Sequence, residues 1–175
     1  MHKLLFAYTS TRGYTLKILK YIEQHLPENY KVIYLDLTKQ ENAKLDLSVF
    51  KHVVIASSIY YGKYSKSMYK FTKNNKDELD KVDNTFVSIN LTARKEGKDK
   101  SETSAYIKTF KKKAVWKPKQ IKMFAGLLDY PSYNWFDTMM IRFIMKITKG
   151  ETNTTKTIEY TNWQKVEDFA KQLAK

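Results

Sequence analysis

Val53-Val54-Ile55-Ala56 is a run of apolar residues with no polar alternation. A strand with one face in water alternates. A strand that is apolar on both faces must be covered on both, as in the middle of a parallel sheet flanked by helices. Leu4-Leu5-Phe6-Ala7-Tyr8 reads the same way, and Tyr30 to Leu35, Thr85 to Leu91 and Ile121 to Gly126 supply three further strands. Between them lie segments of helical spacing. Leu16, Ile18, Leu19 and Ile22 share a helix face after the first strand. A second helix is expected from Ser67 to Leu79 and a third from Ser101 to about Val115, ended by Pro118. The last begins near Thr161-Asn162-Trp163-Gln164, a capping-box pattern, and carries Val166, Phe169, Ala170 and Leu173 on one face. Thr38 to Leu47 is polar and reads as a loop or a poor helix. Five strands joined by helical crossovers predict an α/β fold, a doubly wound parallel sheet. At 175 residues the chain is expected to form a single domain, 1–175, with an insert at 127–153.

In such sheets ligands bind beyond the carboxyl ends of the strands, where the strand order reverses. The loop after the first strand, Thr9-Ser10-Thr11-Arg12-Gly13-Tyr14-Thr15, is rich in hydroxyls and opens a helix. Helix N-terminal N–H groups and the helix dipole favour an anion there. Ser10, Thr11 and Thr15 can add hydroxyl donors, and Gly13 lets the backbone approach closely. The same residues also suit a plain turn with an N-cap. No G-x-G-x-x-G follows the first strand and no G-x-x-x-x-G-K-[ST] is present, which argues against a dinucleotide and a P-loop nucleotide. A mononucleotide with a flat ring fits better. Tyr60, Tyr61 and Tyr64, with Gly62 among them, can frame a ring by stacking, or simply pack at a strand end.

Charge narrows the partners. The formal net charge is +14, which draws the protein toward anions: nucleic acid, anionic lipid or an acidic small molecule. A solvated lysine surface accounts for the same number. Of the 32 basic residues only Arg12, Arg94 and Arg142 are arginine, and each lies in a loop or insert of interest, where a planar two-pronged donor is useful. There is no cysteine, so thiol chemistry and disulfides are excluded, and His2, His25 and His52 are too scattered to hold a metal. The N-terminus lacks the basic-then-apolar layout of a signal peptide, and no apolar run approaches the roughly 20 residues of a membrane span. A cytoplasmic location is expected.

Ser10-Thr11-Arg12-Gly13-Tyr14-Thr15 resembles the FMN-phosphate loop of flavodoxins, with Arg12 and Tyr14 as departures from the usual Thr and Asn. Ser57 to Tyr64, Val87 to Lys95, Ala125 to Tyr133 leading into Trp135-Phe136-Asp137, and Gly150-Glu151-Thr152-Asn153-Thr154 are similar to one branch of that family. This branch is the flavodoxin-like, quinone-dependent protoporphyrinogen IX dehydrogenases of bacterial haem synthesis. The resemblance covers nearly the whole chain. It implies a flavodoxin-like sheet, an FMN cofactor, and oxidation of protoporphyrinogen IX to protoporphyrin IX with electrons passed to a respiratory quinone, menaquinone or ubiquinone. By the same resemblance FMN would contact Ser10, Thr11, Arg12, Gly13, Tyr14, Thr15, Ser58, Tyr60, Tyr61, Gly62, Ser88, Asn90, Leu91, Thr92, Ala93 and Arg94. The substrate propionates would meet Arg94, Lys95 and Arg142, or those three are surface charges. The cofactor carries the redox chemistry, so no catalytic acid or base is nominated.

The insert is long for a connection of this kind, and such loops are usually functional. Trp135 to Thr148 is nearly apolar, broken only by Asp137, Arg142 and Lys146 among its larger residues. A helix over 133–148 is expected. It would pack on the core, cover the flavin edge, or rest on the cytoplasmic face of the inner membrane, with Met140 and Ile144 among the inserting residues. Two other function classes remain in view. A flavodoxin-type electron shuttle shares the fold but is usually acidic. A nucleic-acid-binding domain has only the charge in its favour, so no nucleic-acid partner is expected. The number of copies in the assembly, one or several, is left open.

Overall fold

The computed structural model describes residues 1–175 and centres on five parallel strands. They are β1 (His2–Thr9), β2 (Tyr30–Asp36), β3 (His52–Ser58), β4 (Asn84–Ile89) and β5 (Gln120–Phe124), in the order β2-β1-β3-β4-β5. The helices are α1 (Tyr14–Gln24), α2 (Lys66–Asn74), α3 (Lys76–Lys81), α4 (Ala105–Lys113), α5 (Trp135–Ile147) and α6 (Trp163–Leu173). Successive strand residues point to opposite faces. Leu4, Phe6, Val54, Ala56 and Val87 therefore join a core closed by α1 and α6. Leu5, Ala7, Val53, Ile55 and Phe86 join another closed by α2, α3 and α4. Both faces are covered, as the apolar runs require. The order reverses between β1 and β3, so the loops after these two strands part and leave a crevice.

The helix expected over 67–79 is two helices, broken at Asn75. That side chain is buried; its amide donates to the carbonyls of Ala43 (2.7 Å) and Phe71 (3.0 Å), and its oxygen accepts from the Leu45 N–H (3.0 Å). Local amide bonds of this kind compete with the helix, and here they also pin the polar 38–51 loop. α4 starts later than expected, at Ala105, because Ser104 caps it. Asn162, not Thr161, caps α6. The Thr161 hydroxyl bonds instead with the Ala125 carbonyl and the Tyr14 hydroxyl. A ribbon that no periodicity announces closes the insert: β6 (Leu127–Asp129), at its start, pairs antiparallel with β7 (Thr157–Glu159), just beyond its end. By closing the ends of the insert together, this ribbon returns α5 across the carboxyl edge of the sheet. A small third core of Leu128, Tyr130 and Met145 supports it.

His52 gives the fold a pH dependence. Burial holds its pKa down to about 4, and its ring bonds Thr85 Oγ1 at 2.9 Å. The unfolded chain binds a proton near pH 6.5 where the folded one resists until about 4, so stability is full above pH 6.5 and is lost as pH falls toward 4. Between pH 7 and pH 5 this one group should cost about 2 kcal/mol. Urea unfolding at the two pH values checks it, with His52→Gln expected to flatten that part of the profile.

Candidate functional site

A cavity of about 460 Å³ opens at the carboxyl edge between the loops after β1, β3 and β4, with α5 above it. Its floor at β1 is built for an anion. Gly13 is the N-cap of α1 at φ +77°, and no side chain caps the helix, nor does an acidic residue occupy its first turn. The first-turn N–H groups of a helix have no intrahelical partner. Ser10 Oγ and Thr15 Oγ1 are buried beside them without any hydrogen-bond partner. Buried hydroxyls are rarely left orphaned, and an oxyanion seated here would satisfy both. Beyond its own chain neighbours and the backbone of α1, no protein atom lies within 4 Å of where a Gly13 Cβ would stand. The position needs glycine for its left-handed backbone, rather than for room within the protein itself.

The second wall is a tight turn, Tyr60 to Lys63, closed by Tyr60 N–H to Lys63 carbonyl (2.9 Å) and the reverse bond (3.1 Å). Its central residues, Tyr61 and Gly62, have φ of 47° and 73°, the primed geometry in which a non-glycine residue is uncommon. The third wall follows β4. Asn90 Oδ1 accepts from the Thr92 hydroxyl (2.7 Å) and the Ala93 N–H (3.0 Å), and its amide donates to Ser88 Oγ (3.0 Å). Ser88 in turn bonds the Tyr64 hydroxyl at 2.7 Å. The turn at 91–94 is thus braced from within the sheet.

The roof is α5. Met140, Ile141, Ile144 and Met145 face the cavity, while Trp135 (78% exposed), Phe143 (65%) and Ile147 (66%) face solvent. Met140 and Ile144 are therefore cavity residues and not outward-facing ones, which corrects their expected role in insertion. Each end of the helix is tied down. At the start, Asn134 caps the helix through the Asp137 N–H (2.8 Å), and the buried Asp137 carboxylate pairs with Arg12. The same carboxylate accepts from the hydroxyls of Tyr60 (3.1 Å) and Tyr61. The Tyr61 hydrogen bond, then Tyr60 and the Arg12 charge, hold its pKa below the ordinary carboxylate range. At the far end Arg94 donates to the Leu91 carbonyl (2.6 Å), the Thr148 carbonyl (3.3 Å) and the Thr148 hydroxyl (3.2 Å). Gly150 lets this happen: a Cβ there would stand 2.5 Å from Arg94 Nη2 and 2.3 Å from Met145 Cε.

Residues 5–155 match the family model described as a flavodoxin domain. The chain belongs to the flavodoxin-domain family. Within it, the chain is 37% identical over 172 residues to the protoporphyrinogen IX dehydrogenase [quinone] of Leishmania major, covering 98% of this chain and 74% of that one. It is 34% identical over 173 residues to the enzyme of the same name from Escherichia coli K12, covering 98% and 94%. Identity at that level over nearly the full length makes this flavodoxin-domain chain a member of the protoporphyrinogen IX dehydrogenase [quinone] family. An NADH:FMN oxidoreductase in its apo form superposes with a TM-score of 0.55 at 10% identity, over 99% of this chain and 89% of that one. At that identity it speaks for the fold alone.

Most of the expected cofactor residues of this flavodoxin-domain protein do meet on the cavity wall: Ser10, Thr11, Arg12, Tyr14, Thr15, Ser58, Tyr60, Tyr61, Gly62, Asn90, Leu91, Thr92 and Arg94. Three do not. Gly13 shapes the loop from outside, while Ser88 and Ala93 are buried behind the wall as supports for Asn90 and its turn. Of the three expected propionate contacts only Arg94 reaches the wall, and its guanidinium is occupied by Leu91 and Thr148. Lys95 lies off the wall and Arg142 is exposed on the roof helix. Asp137 was not among the expected site residues; its one sign in the sequence is a lone acid in an apolar segment. Ser132 and Tyr133 also join the wall unannounced.

Arg94 can be tested directly. If it anchors the roof, Arg94→Ala should cost about 2 kcal/mol of stability through lost charge-assisted bonds, a fall of roughly 4–8 °C in melting temperature. Arg94→Lys, which keeps the charge and loses the fork, should fall nearly as far. A carboxylate reader would behave otherwise, with Lys restoring much of the porphyrinogen KM.

Proposed function

We propose that this chain oxidises protoporphyrinogen IX to protoporphyrin IX in haem synthesis and passes the electrons to a respiratory quinone. One observation carries the reading. An anion seat with two orphaned hydroxyls opens into an apolar, roofed compartment, in a chain 34–37% identical to relatives bearing that activity as their name. The cofactor is FMN, which supplies the two-electron carrier chemistry when bound. Ser10, Thr11, Thr15, Arg12 and the start of α1 would hold its phosphate. The Tyr60–Lys63 turn and the Asn90–Thr92 turn would flank its ring, and Met140, Ile141 and Ile144 would keep water from it. An apolar ceiling suits both a tetrapyrrole and a quinone. Each can approach the same compartment in turn, as a ping-pong cycle requires.

No helix of the chain is long and apolar enough to cross a membrane. The outer face of α5 nevertheless presents Trp135, Phe136, Met139, Phe143 and Ile147 to solvent, with Arg142 and Lys146 one turn apart. A short helix of this make-up suits a bilayer interface. We read it as a peripheral foot on the cytoplasmic face of the inner membrane, beside the quinone pool.

The test is anaerobic. Purified protein should carry FMN, identified by absorbance and mass. Protoporphyrinogen IX should bleach it, a soluble quinone should restore it, and porphyrin fluorescence should appear in step. A flavin bleached by dithionite but untouched by porphyrinogen would overturn the assignment in favour of an electron shuttle.

A further inference from the structure

Asp137 has no part in the chemistry above, yet it is the roof helix's buried charge, 1% exposed. Three segments far apart in sequence converge on it: Arg12 from the loop after β1, Tyr60 and Tyr61 from the turn after β3, and α5 itself. Arg12 is fixed from other sides as well, donating to the Ser132 carbonyl at 2.9 Å with its guanidinium 4.6 Å from the Tyr133 ring centre. A buried carboxylate is tolerated only while it is paired and hydrogen-bonded. The start of α5 can therefore stay down only while the loop and the turn hold their positions. Tyr61 is held at a positive φ in that arrangement, and backbone outliers of this kind persist where surroundings over-determine them. The loop that carries Arg12 is also the loop whose Ser10 and Thr15 hydroxyls lack partners. A guanidinium has five N–H donors, enough to serve Asp137 and an anion in the seat together.

We propose that Asp137 is a positioning residue which, through Arg12, couples the anion seat to the roof helix, so that a seated phosphate tightens α5 over the cavity and a closed α5 tightens the seat. This rests on the FMN reading, since the seat is the one assigned to the cofactor phosphate. The coupling is reciprocal by linkage. It orders the cycle: the phosphate-bearing cofactor is locked in by the same contact that closes the apolar compartment.

Inorganic phosphate is the probe, because it can fill the seat without touching the roof. Amide hydrogen exchange is followed by mass spectrometry in the apo protein, with sodium chloride at equal ionic strength as the control. Phosphate should slow exchange at residues 10–16, and should also slow it about tenfold across 135–147, within the usual range of such couplings. In Asp137→Asn, phosphate should still protect 10–16 while 135–147 no longer responds. A purely structural role would raise α5 exchange equally with and without phosphate and leave the ratio at its wild-type value; that result overturns the coupling. So does a wild-type α5 that ignores phosphate while 10–16 is protected. If neither phosphate nor FMN protects 10–16, the cofactor reading itself falls and the coupling with it. Should Asp137→Asn fail to fold by far-ultraviolet circular dichroism, Arg12→Lys, which keeps the charge and loses the fork, is expected to show the same loss of response, and a wild-type response in it overturns the coupling.

Discussion

Gly13→Val should leave the purified protein with almost no flavin. Gly13 sits at φ +77° at the start of α1, and an L-residue in the left-handed region costs roughly 1–2 kcal/mol, more when it is β-branched. The chain can relieve that strain by rotating to negative φ. Rotation re-aims the first-turn N–H groups of α1 and moves Arg12 away from Asp137. Losing two charge-assisted hydrogen bonds to a phosphate at about 1.5–3 kcal/mol each lowers affinity at least about a hundredfold. Gly13→Asn is the control, because asparagine tolerates the left-handed conformation; it should keep most of the flavin. Absorbance per chain after desalting reads the result, with circular dichroism to show that the sheet is intact. Full flavin in the valine variant would remove the loop from the phosphate site.

The second large effect concerns the outer face of α5. Phe143→Asp with Ile147→Asp should reduce binding to anionic liposomes by at least about a hundredfold, since burying each side chain is worth about 1.5–3 kcal/mol. The two positions are 65% and 66% exposed and lie one turn apart, so the cavity and its flavin should be unaffected. Met140→Asp with Ile144→Asp makes the opposite prediction: those residues line the cavity, and flavin should be lost first. Attraction of a +14 protein to anionic lipid is expected in any case, so salt is the discriminating variable. Apolar insertion should hold part of the wild type on the vesicle at salt concentrations that screen surface charge. If the Phe143/Ile147 variant binds normally and moderate salt strips the wild type completely, the foot is wrong and only charge attracts the protein.

Much of this protein was legible without coordinates, for reasons that are local. Continuous apolar runs named the central strands, because a strand covered on both faces has no polar side to show. The hydroxyl-rich loop before α1 and the turns after β3 and β4 named themselves by composition and place. The helix in the insert was legible to within two residues at its start and one at its end, since thirteen nearly apolar residues cannot be a loop in water. What the sequence could not contain was orientation. Large apolar residues lie on both faces of this segment and so does charge, Arg142 and Lys146 on one and Asp137 on the other, so only the tertiary structure says which face turns inward and separates Met140 and Ile144 from Phe143 and Ile147. The β6–β7 ribbon, three residues a strand, is too short for periodicity to register. Asp137 and Arg94 were visible as residues but not as contacts. Their distant partners, Arg12 for Asp137 and Thr148 for Arg94, lie 125 and 54 positions away, and a charged side chain finds such partners through the fold, where no spacing along the chain records them.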